Sequence, residues 1–384
     1  MKHIKVMSVF GTRPEAIKMA PLVQELTRTE GIESLCCVTA QHREMLDSVL
    51  ESFHIRPEYD LNIMQPRQTL SAIISRTLTG MEDVLADAKP DLVLVHGDTT
   101  TTLAGAMAAM LHQIPVGHVE AGLRTYDKSS PFPEELNRTL VADIAQLHFS
   151  PTEANAANLR REAVDGEIFI TGNTVIDAMK TTVAPDFVFQ NPVLNELDYG
   201  QRVIVMTCHR RENYGEPMAA IMRAVRRLAL AHPEVTIVYP VHLSPVVREC
   251  AFGTLDGIPN IRLIDPLDVE QMHNLMARCY FVMTDSGGLQ EEAPAMGKPV
   301  LVLRRETERP EAVAAGTVEL AGVEEDHVFA LAEQLLTDET LYRRMAHAVN
   351  PYGDGNACRR IAQAIAWRFG LQAERPADFV PGQA

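Results

Sequence analysis

No run in this 384-residue chain approaches the roughly 18 apolar residues that a membrane-spanning helix needs. No secretory pattern precedes the first strand-like stretch, MKHIKVMSVFG, so a cytoplasmic protein is expected. The chain is also short of positive charge: 35 Lys and Arg face 51 Asp and Glu, a formal net charge of -16. Phosphate-backbone affinity needs clustered cations, so a general nucleic-acid partner is excluded and any anionic ligand must find its positive charge locally. Cysteine is present but without CxxC spacing. Cys36, Cys37, Cys208, Cys250, Cys279 and Cys358 mostly sit in apolar runs, which predicts reduced, buried thiols rather than disulfides or a zinc cage. Three nucleotide signatures are missing as well: GxGxxG, GxxxxGK[ST] and Tyr-x-x-x-Lys. Their absence argues against P-loop enzymes and nicotinamide-dependent short-chain enzymes. No internal repeat or low-complexity segment appears.

What is present is rhythm. Short apolar runs recur through the chain: IKVMSVF, SLCCVTA, DLVLVHG, IPVGHVE, LHFSP and IFITGN, then RVIVMTCH, VTIVYPVH, IRLIDPL, FVMTDS and PVLVLR. Amphipathic stretches such as APLVQELTRT and MAAIMRAVRRLALAH separate them. Uniformly apolar strands alternating with helices predict parallel sheets covered on both faces. The fold class is therefore α/β, with two Rossmann-like doubly wound domains, since 384 residues exceed what one core usually holds. A proline-rich interruption over residues 177–202 places the hinge near Gly172. The expected domains are 1–171, 172–365, and a tail of 366–384 that returns to the first domain and is loosely ordered.

In open parallel sheets, ligands bind beyond the carboxyl ends of the strands. Here those ends are polar. The first half offers Arg13, Gln41, His42, Asp98 and Glu120; the second offers His209, Arg210, His242, Asp285, Ser286 and Arg304. Sheets whose functional edges faced each other would gather them in one cleft. Asp98 and Glu120 each follow a histidine by two residues, His96 and His118, which places each pair on one face of its strand. No basic residue lies near Asp98 in sequence, so it is expected to stand unpaired. Glu134 and Glu135 follow in SPFPEELNR, where Arg138 can partner either acid. Several carboxylates in one site can divide into general base and general acid. The threonines after Asp98 are read only as helix caps, through Thr99 or Thr100.

The stretch TDSGGLQEEAPAMGKP has strand, small residues and a helix start, a backbone that can approach a phosphate. Glu291 and Glu292 suit a sugar diol, and Arg304, Arg305 and Arg309 suit a phosphate. In GTRPEAIKMAP, Gly11 allows close approach and Pro14 begins a helix.

Taken with TAQHREMLD, YDLNIMQP, HGDTTTT, GHVEAGLRT, PFPEELNR, ITGNTVIDA, HRREN, YPVH, TERPEA and NPYGDG, these motifs run through nearly the whole chain. They resemble the non-hydrolysing bacterial UDP-N-acetylglucosamine 2-epimerases. The resemblance implies a glycosyltransferase-B-like fold with a central cleft, a homodimer, and interconversion of UDP-GlcNAc and UDP-ManNAc without NAD or metal. It also implies elimination of UDP to 2-acetamidoglucal and re-addition, supplying ManNAc-type sugars for cell-surface polysaccharide. Asp98, Glu120, Glu134 and His209 match the family's catalytic positions. Arg13, Lys18, Arg138, Met272, Ser286, Gly287, Gly288, Glu292 and Arg309 match its nucleotide-sugar positions, with the base held near Leu267 and Met272. Family members often carry an aromatic at the position of Met272. An activating second UDP-GlcNAc would use Gln41, His42, Arg67, Gln68, Arg210 and His242; Glu44 stands where some members have Gln.

Rival readings stay open at this point. His96, Asp98, His118 and Glu120 have the residue types of a metal-dependent hydrolase. The same scaffold serves retaining glycosyltransferases and hydrolysing epimerases. A nucleotide-sugar sensor would not need three carboxylates in its cleft.

Overall fold

The computed structural model describes residues 3–41 and 43–383. The chain divides into two compact units, one of residues 1–181 with 352–384 and one of residues 182–351.

The first unit is built on seven parallel strands: β1 (Ile4–Phe10), β2 (Ile32–Val38), β3 (Tyr59–Asp60), β4 (Leu92–His96), β5 (Val116–Val119), β6 (Leu147–Ser150) and β7 (Glu167–Ile170), in the order β3-β2-β1-β4-β5-β6-β7. Strand alternation feeds two cores. Ile4, Val6 and Phe10 of β1 pack with the helices Arg13–Arg28 and Ala357–Arg368, while Met7 and Val9 pack with the helices Leu70–Ala88 and Thr100–Leu111 on the opposite face. Both faces are covered, which is why the strands read as unbroken apolar runs.

The second unit repeats the plan with β8 (Val203–Thr207), β9 (Thr236–Pro240), β10 (Ile261–Ile264), β11 (Phe281–Thr284), β12 (Val300–Val302) and β13 (Val318–Leu320), ordered β10-β9-β8-β11-β12-β13 and again parallel. Both units are Rossmann-like. In each, the strand order reverses beside the first strand, between β1 and β4 and between β8 and β11. Those switch points are where such sheets open a crevice at their carboxyl edge.

Three expectations differ from the structure. The first boundary falls after Thr181 rather than 171, because the helix Thr174–Thr182 belongs to the first core: Ala178 packs there, and Asp177 accepts hydrogen bonds from the Ala357 and Cys358 amides at 3.1 and 3.0 Å. The chain returns at Tyr352 rather than 366, so the whole helix Ala357–Arg368 lies on the first unit. The tail is pinned rather than loose. The Phe379 amide donates to Ile170 O at 2.7 Å, Asp378 accepts from the Ile170 amide at 3.0 Å, and the Phe379 ring is buried against Ala156. Among the described residues no helix is long and apolar enough to cross a membrane. Five of the six cysteines are buried thiols, and burial pushes Cys37 and Cys279 up to about 12.

Candidate active site

At the first switch point, the loop after β1 is folded around Glu15. Thr12 caps the helix Arg13–Arg28, and Glu15 completes a capping box. The carboxylate is buried at 1% exposure and accepts from the amides of Gly11 at 3.0 Å and Thr12 at 2.8 Å. Across the switch point, Thr99 donates its hydroxyl to Glu15 at 2.7 Å, with the Thr102 hydroxyl 3.1 Å away. Burial raises the Glu15 carboxyl above its usual range, against the pull of these donors. Gly11 does permit a close approach, but to protein: a Cβ there would stand 1.9 Å from the Thr39 hydroxyl. Thr99 caps the next helix as expected. The other threonines do more than fill a turn. Thr101 bonds Thr39 and the Gln41 side chain, both at 3.0 Å, tying the ends of β2 and β4 together.

Around this loop sit the carboxylates. Asp98 is not unpaired: Arg138 of the helix Glu134–Ile144 forms an ion pair with it and also reaches Glu135 at 3.3 Å. The partner is far away in sequence and was therefore hidden from a reading of near neighbours. Glu120 pairs with Lys18 and accepts from Asn173 Nδ2 at 2.9 Å. Its backbone lies in the left-handed region at φ 64°, a conformation that side-chain-bearing residues hold only when their surroundings enforce it. Both acids lie past the last residue of β4 and β5, so the strand alternation does not extend to them. Glu135 is structural, accepting the amides of Thr125 at 3.0 Å and Tyr126 at 2.9 Å. Glu134 opens the helix half-buried, with no side-chain partner among the described residues. Arg13 occupies the first helical position after Thr12 and is half-buried.

The two histidines are held neutral. Burial lowers His96 to about 4 and His118 to about 3. His96 lies 3.8 Å from Glu120, whereas His118 turns to the Gly97 carbonyl at 2.7 Å. Among the described residues no group of three or more His, Cys, Asp or Glu is arranged to hold a metal ion.

The second switch point is organised by Asp285, which is fully buried. One oxygen accepts the amides of His209 and Arg210, both at 2.8 Å, and Asn213 Nδ2 at 3.1 Å; the other lies 3.4 Å from His209 Nδ1. His209 stacks on His242 with ring centroids 5.4 Å apart, and burial lowers its pKa while Asp285 works in the opposite sense. Beside it Ser286 and Gly287 lead to Gly288, the cap of the helix Leu289–Ala295. Among the described residues no side chain caps that helix. Arg309 bonds Glu291 at 2.7 Å and lies 3.5 Å from Glu308, which in turn is 3.7 Å from Arg210. Arg304 is buried between Glu212 and Glu308, at 2.6 and 2.5 Å. Glu292 lies 3.3 Å from His273, and Met272 is half-buried one residue before it, after the buried Leu267.

Comparison with known proteins gives this arrangement a family. A model described as UDP-N-acetylglucosamine 2-epimerase matches residues 24–366. The chain belongs to the UDP-N-acetylglucosamine 2-epimerase family. It is similar to the UDP-N-acetylglucosamine 2-epimerase of Bacillus subtilis (strain 168), 55% identical over 380 residues and 99% of each chain. The Escherichia coli K12 protein of the same name is 53% identical over 370 residues, 94% of this chain and 98% of that one. Among solved structures, the UDP-GlcNAc 2-epimerase of Neisseria meningitidis bound to UDP-GlcNAc is 47% identical with a TM-score of 0.85, covering 94% of this chain and 99% of its own.

For this epimerase-family chain, several expected site residues meet. Lys18 joins Glu120, Arg138 joins Asp98, and His209 and Arg210 join Asp285. Gln68 donates to Gln41 O at 3.1 Å, while Arg67 is exposed in a loop at φ 55°. His42 lies outside the described residues. Sequence reading missed Glu15 and Asn173. The first had a signal, since Thr12-Arg13-Pro14-Glu15 is a capping-box pattern; the second had none, because its partner Glu120 lies 53 positions away in sequence.

Proposed function

We propose that this chain interconverts UDP-GlcNAc and UDP-ManNAc. A base removes the C2 proton as the C1–O bond to UDP breaks, giving 2-acetamidoglucal and free UDP. A proton is then delivered to the other face of C2, and a UDP oxygen re-adds to C1. Since that C2 proton is not next to a carbonyl, elimination needs charge stabilisation at both ends, by carboxylates near the developing cation and by cations at the departing diphosphate.

One observation supports this reading: Asp98 and Glu120, which follow β4 and β5 at the carboxyl edge of the first sheet, each face a cation, while Glu134 opens the helix that carries Arg138 and Asn137 to Asp98. Asp98 faces Arg138, Glu120 faces Lys18 and Asn173, and Glu134 has no partner among the described residues. They act as the acid–base set. Arg13, Lys18 and Arg138 match sugar-nucleotide positions and His209 and Arg309 diphosphate positions, with Ser286, Gly287 and Gly288 supplying backbone; Glu292 takes a sugar or ribose hydroxyl, and Leu267 and Met272 hold the uracil. A second UDP-GlcNAc activates through Gln41, His42, Arg67, Gln68, Arg210 and His242. The enzyme works as a homodimer and supplies ManNAc-type sugars for cell-surface polysaccharide.

The test is proton NMR of metal-free protein with UDP-GlcNAc in D₂O. UDP-ManNAc carrying deuterium at C2 supports the proposal. Free ManNAc with UDP replaces epimerisation by hydrolysis, and no turnover overturns the substrate assignment.

A further inference from the structure

The peptide chain that presents Asp98 is gripped at three successive carbonyls, each by a side chain from a different element. Thr102, in the first turn of the helix Thr100–Leu111, donates its hydroxyl to His96 O at 2.5 Å. His118, on β5, donates Nε2–H to Gly97 O at 2.7 Å. Asn137, on the helix Glu134–Ile144, donates Nδ2–H to Asp98 O at 2.8 Å. Carbonyls at and beyond the last strand residue must find donors elsewhere, and water is the usual one at a loop. Here His118 is fully buried and Asn137 is 4% exposed.

Two details make this more than ordinary satisfaction of polar groups. Gly97 sits at φ 69°, a conformation glycine enters and leaves freely, so the peptide before Asp98 would pivot without a clamp. The other ring nitrogen of His118, Nδ1, is buried with no hydrogen-bond partner among the described residues. A buried imidazole with one side-chain hydrogen bond, aimed at this loop, costs desolvation that core packing would not require. Its neutral state leaves one ring proton, and the carbonyl fixes that proton on Nε2. Asn137 and Arg138 are also consecutive, so one helical turn holds both the Asp98 carbonyl and its carboxylate.

We propose that His118 and Asn137 are positioning residues that set the Asp98 carboxylate for proton transfer through its own backbone. This rests on the reading of Asp98 as an acid–base group. Neither residue touches substrate; they act by removing the freedom of the Gly97–Asp98 segment. A displacement of the reacting carboxylate by a fraction of an ångström reduces the rate of the chemical step and leaves substrate affinity largely alone.

The experiment compares the wild type with Asp98→Asn, His118→Leu, His118→Gln and Asn137→Leu in the D₂O assay, measuring kcat and KM separately on folded enzyme. In both leucine variants kcat should fall ~10-fold or more while KM stays within about threefold. His118→Gln should recover most of the loss, because an amide N–H reaches where Nε2–H does. A residue that merely stabilises the fold would lower the melting temperature and leave kcat per folded molecule intact; that result for His118→Leu and Asn137→Leu overturns the proposal. Should His118→Leu fail to fold, Asn137→Leu, on a helix rather than within the sheet, decides alone. Asp98→Asn at the wild-type rate, or wild type without C2 exchange, is a different failure: it removes the acid–base reading itself.

Discussion

Glu15 is the residue whose replacement should most disturb the first unit, although it need never meet substrate. Its carboxylate accepts the Gly11 and Thr12 amides on one oxygen and the Thr99 hydroxyl on the other, in a site 1% exposed. Glu15→Ala leaves two amides and a hydroxyl without an acceptor and breaks the capping box. Each buried unsatisfied donor costs about 1–3 kcal/mol and a lost cap ~1 kcal/mol. Release of the buried charge offsets part of this, so a net loss of ~3 kcal/mol is expected. Glu15→Gln should lose ~1 kcal/mol or less, because its oxygen still serves the two amides and the Thr99 hydroxyl can rotate to accept the new N–H. The assay is urea unfolding followed by fluorescence of Trp367, the chain's single tryptophan, which packs edge-on against Phe169 with centroids 6.1 Å apart in the first unit. Equal unfolding midpoints for Glu15→Ala and wild type would refute the reasoning, since they would mean that water satisfies the loop as well as the carboxylate does.

Other predictions follow from the charge pairs and the buried histidines. Glu120→Gln should cut epimerisation by ~10² or more with the unfolding midpoint near wild type, and retention of full C2 exchange would remove Glu120 from the chemistry. Asp285→Asn should raise KM for UDP-GlcNAc, because it removes the negative charge that three donors share on one oxygen and puts an N–H where the other oxygen faces His209 Nδ1; an unchanged KM would show that the turn holds itself. Because burial depresses His96 to about 4 and His118 to about 3 from the usual 6.5, the unfolded chain takes up these protons first. Their contribution to stability is therefore complete above the unfolded value and is lost as pH falls from 6.5 toward 4 and 3, amounting to ~4 kcal/mol for the pair near pH 5. His118→Gln should flatten the fall in urea midpoint between pH 7 and 5; an identical slope in both proteins would count against a neutral buried His118.

The fold was legible because parallel strands covered on two faces leave a pattern that survives in one dimension. Eleven of the strands follow apolar runs seen in the sequence, whereas β3 and β13, two and three residues long at sheet edges, lack such runs. The unit boundary was less legible. Proline-rich sequence marks where the chain leaves regular structure, but the helix Thr174–Thr182 belongs to the first unit through Asp177 and Ala178, which meet Cys358 and its neighbours about half a chain away. The tail misled for the same reason: Pro, Ala and Gly say nothing about Phe379, whose pocket is made by Ala156 and Ile170.

For the candidate site, sequence named residues at the strand ends and concealed what holds them. Asp98 looked unpaired because its cation, Arg138, arrives from a helix 40 positions later; Glu120 takes Lys18 from 102 positions earlier. A single sequence reports pairs only at helical or strand spacing, so long-range compensation appears as bare charge. A local signal was there but went unread: the capping box at Thr12–Glu15. Its importance lies in joining the two scales: a helix cap readable from four residues becomes, through Thr99, a tie across the switch point to the loop that carries Asp98. A cap that also bridges two strand ends cannot be exchanged for another good cap. Asp at position 15 would keep the charge but withdraw it by one methylene from either the amides or Thr99, and the loop beside Asp98 would lose its tie to the end of β1.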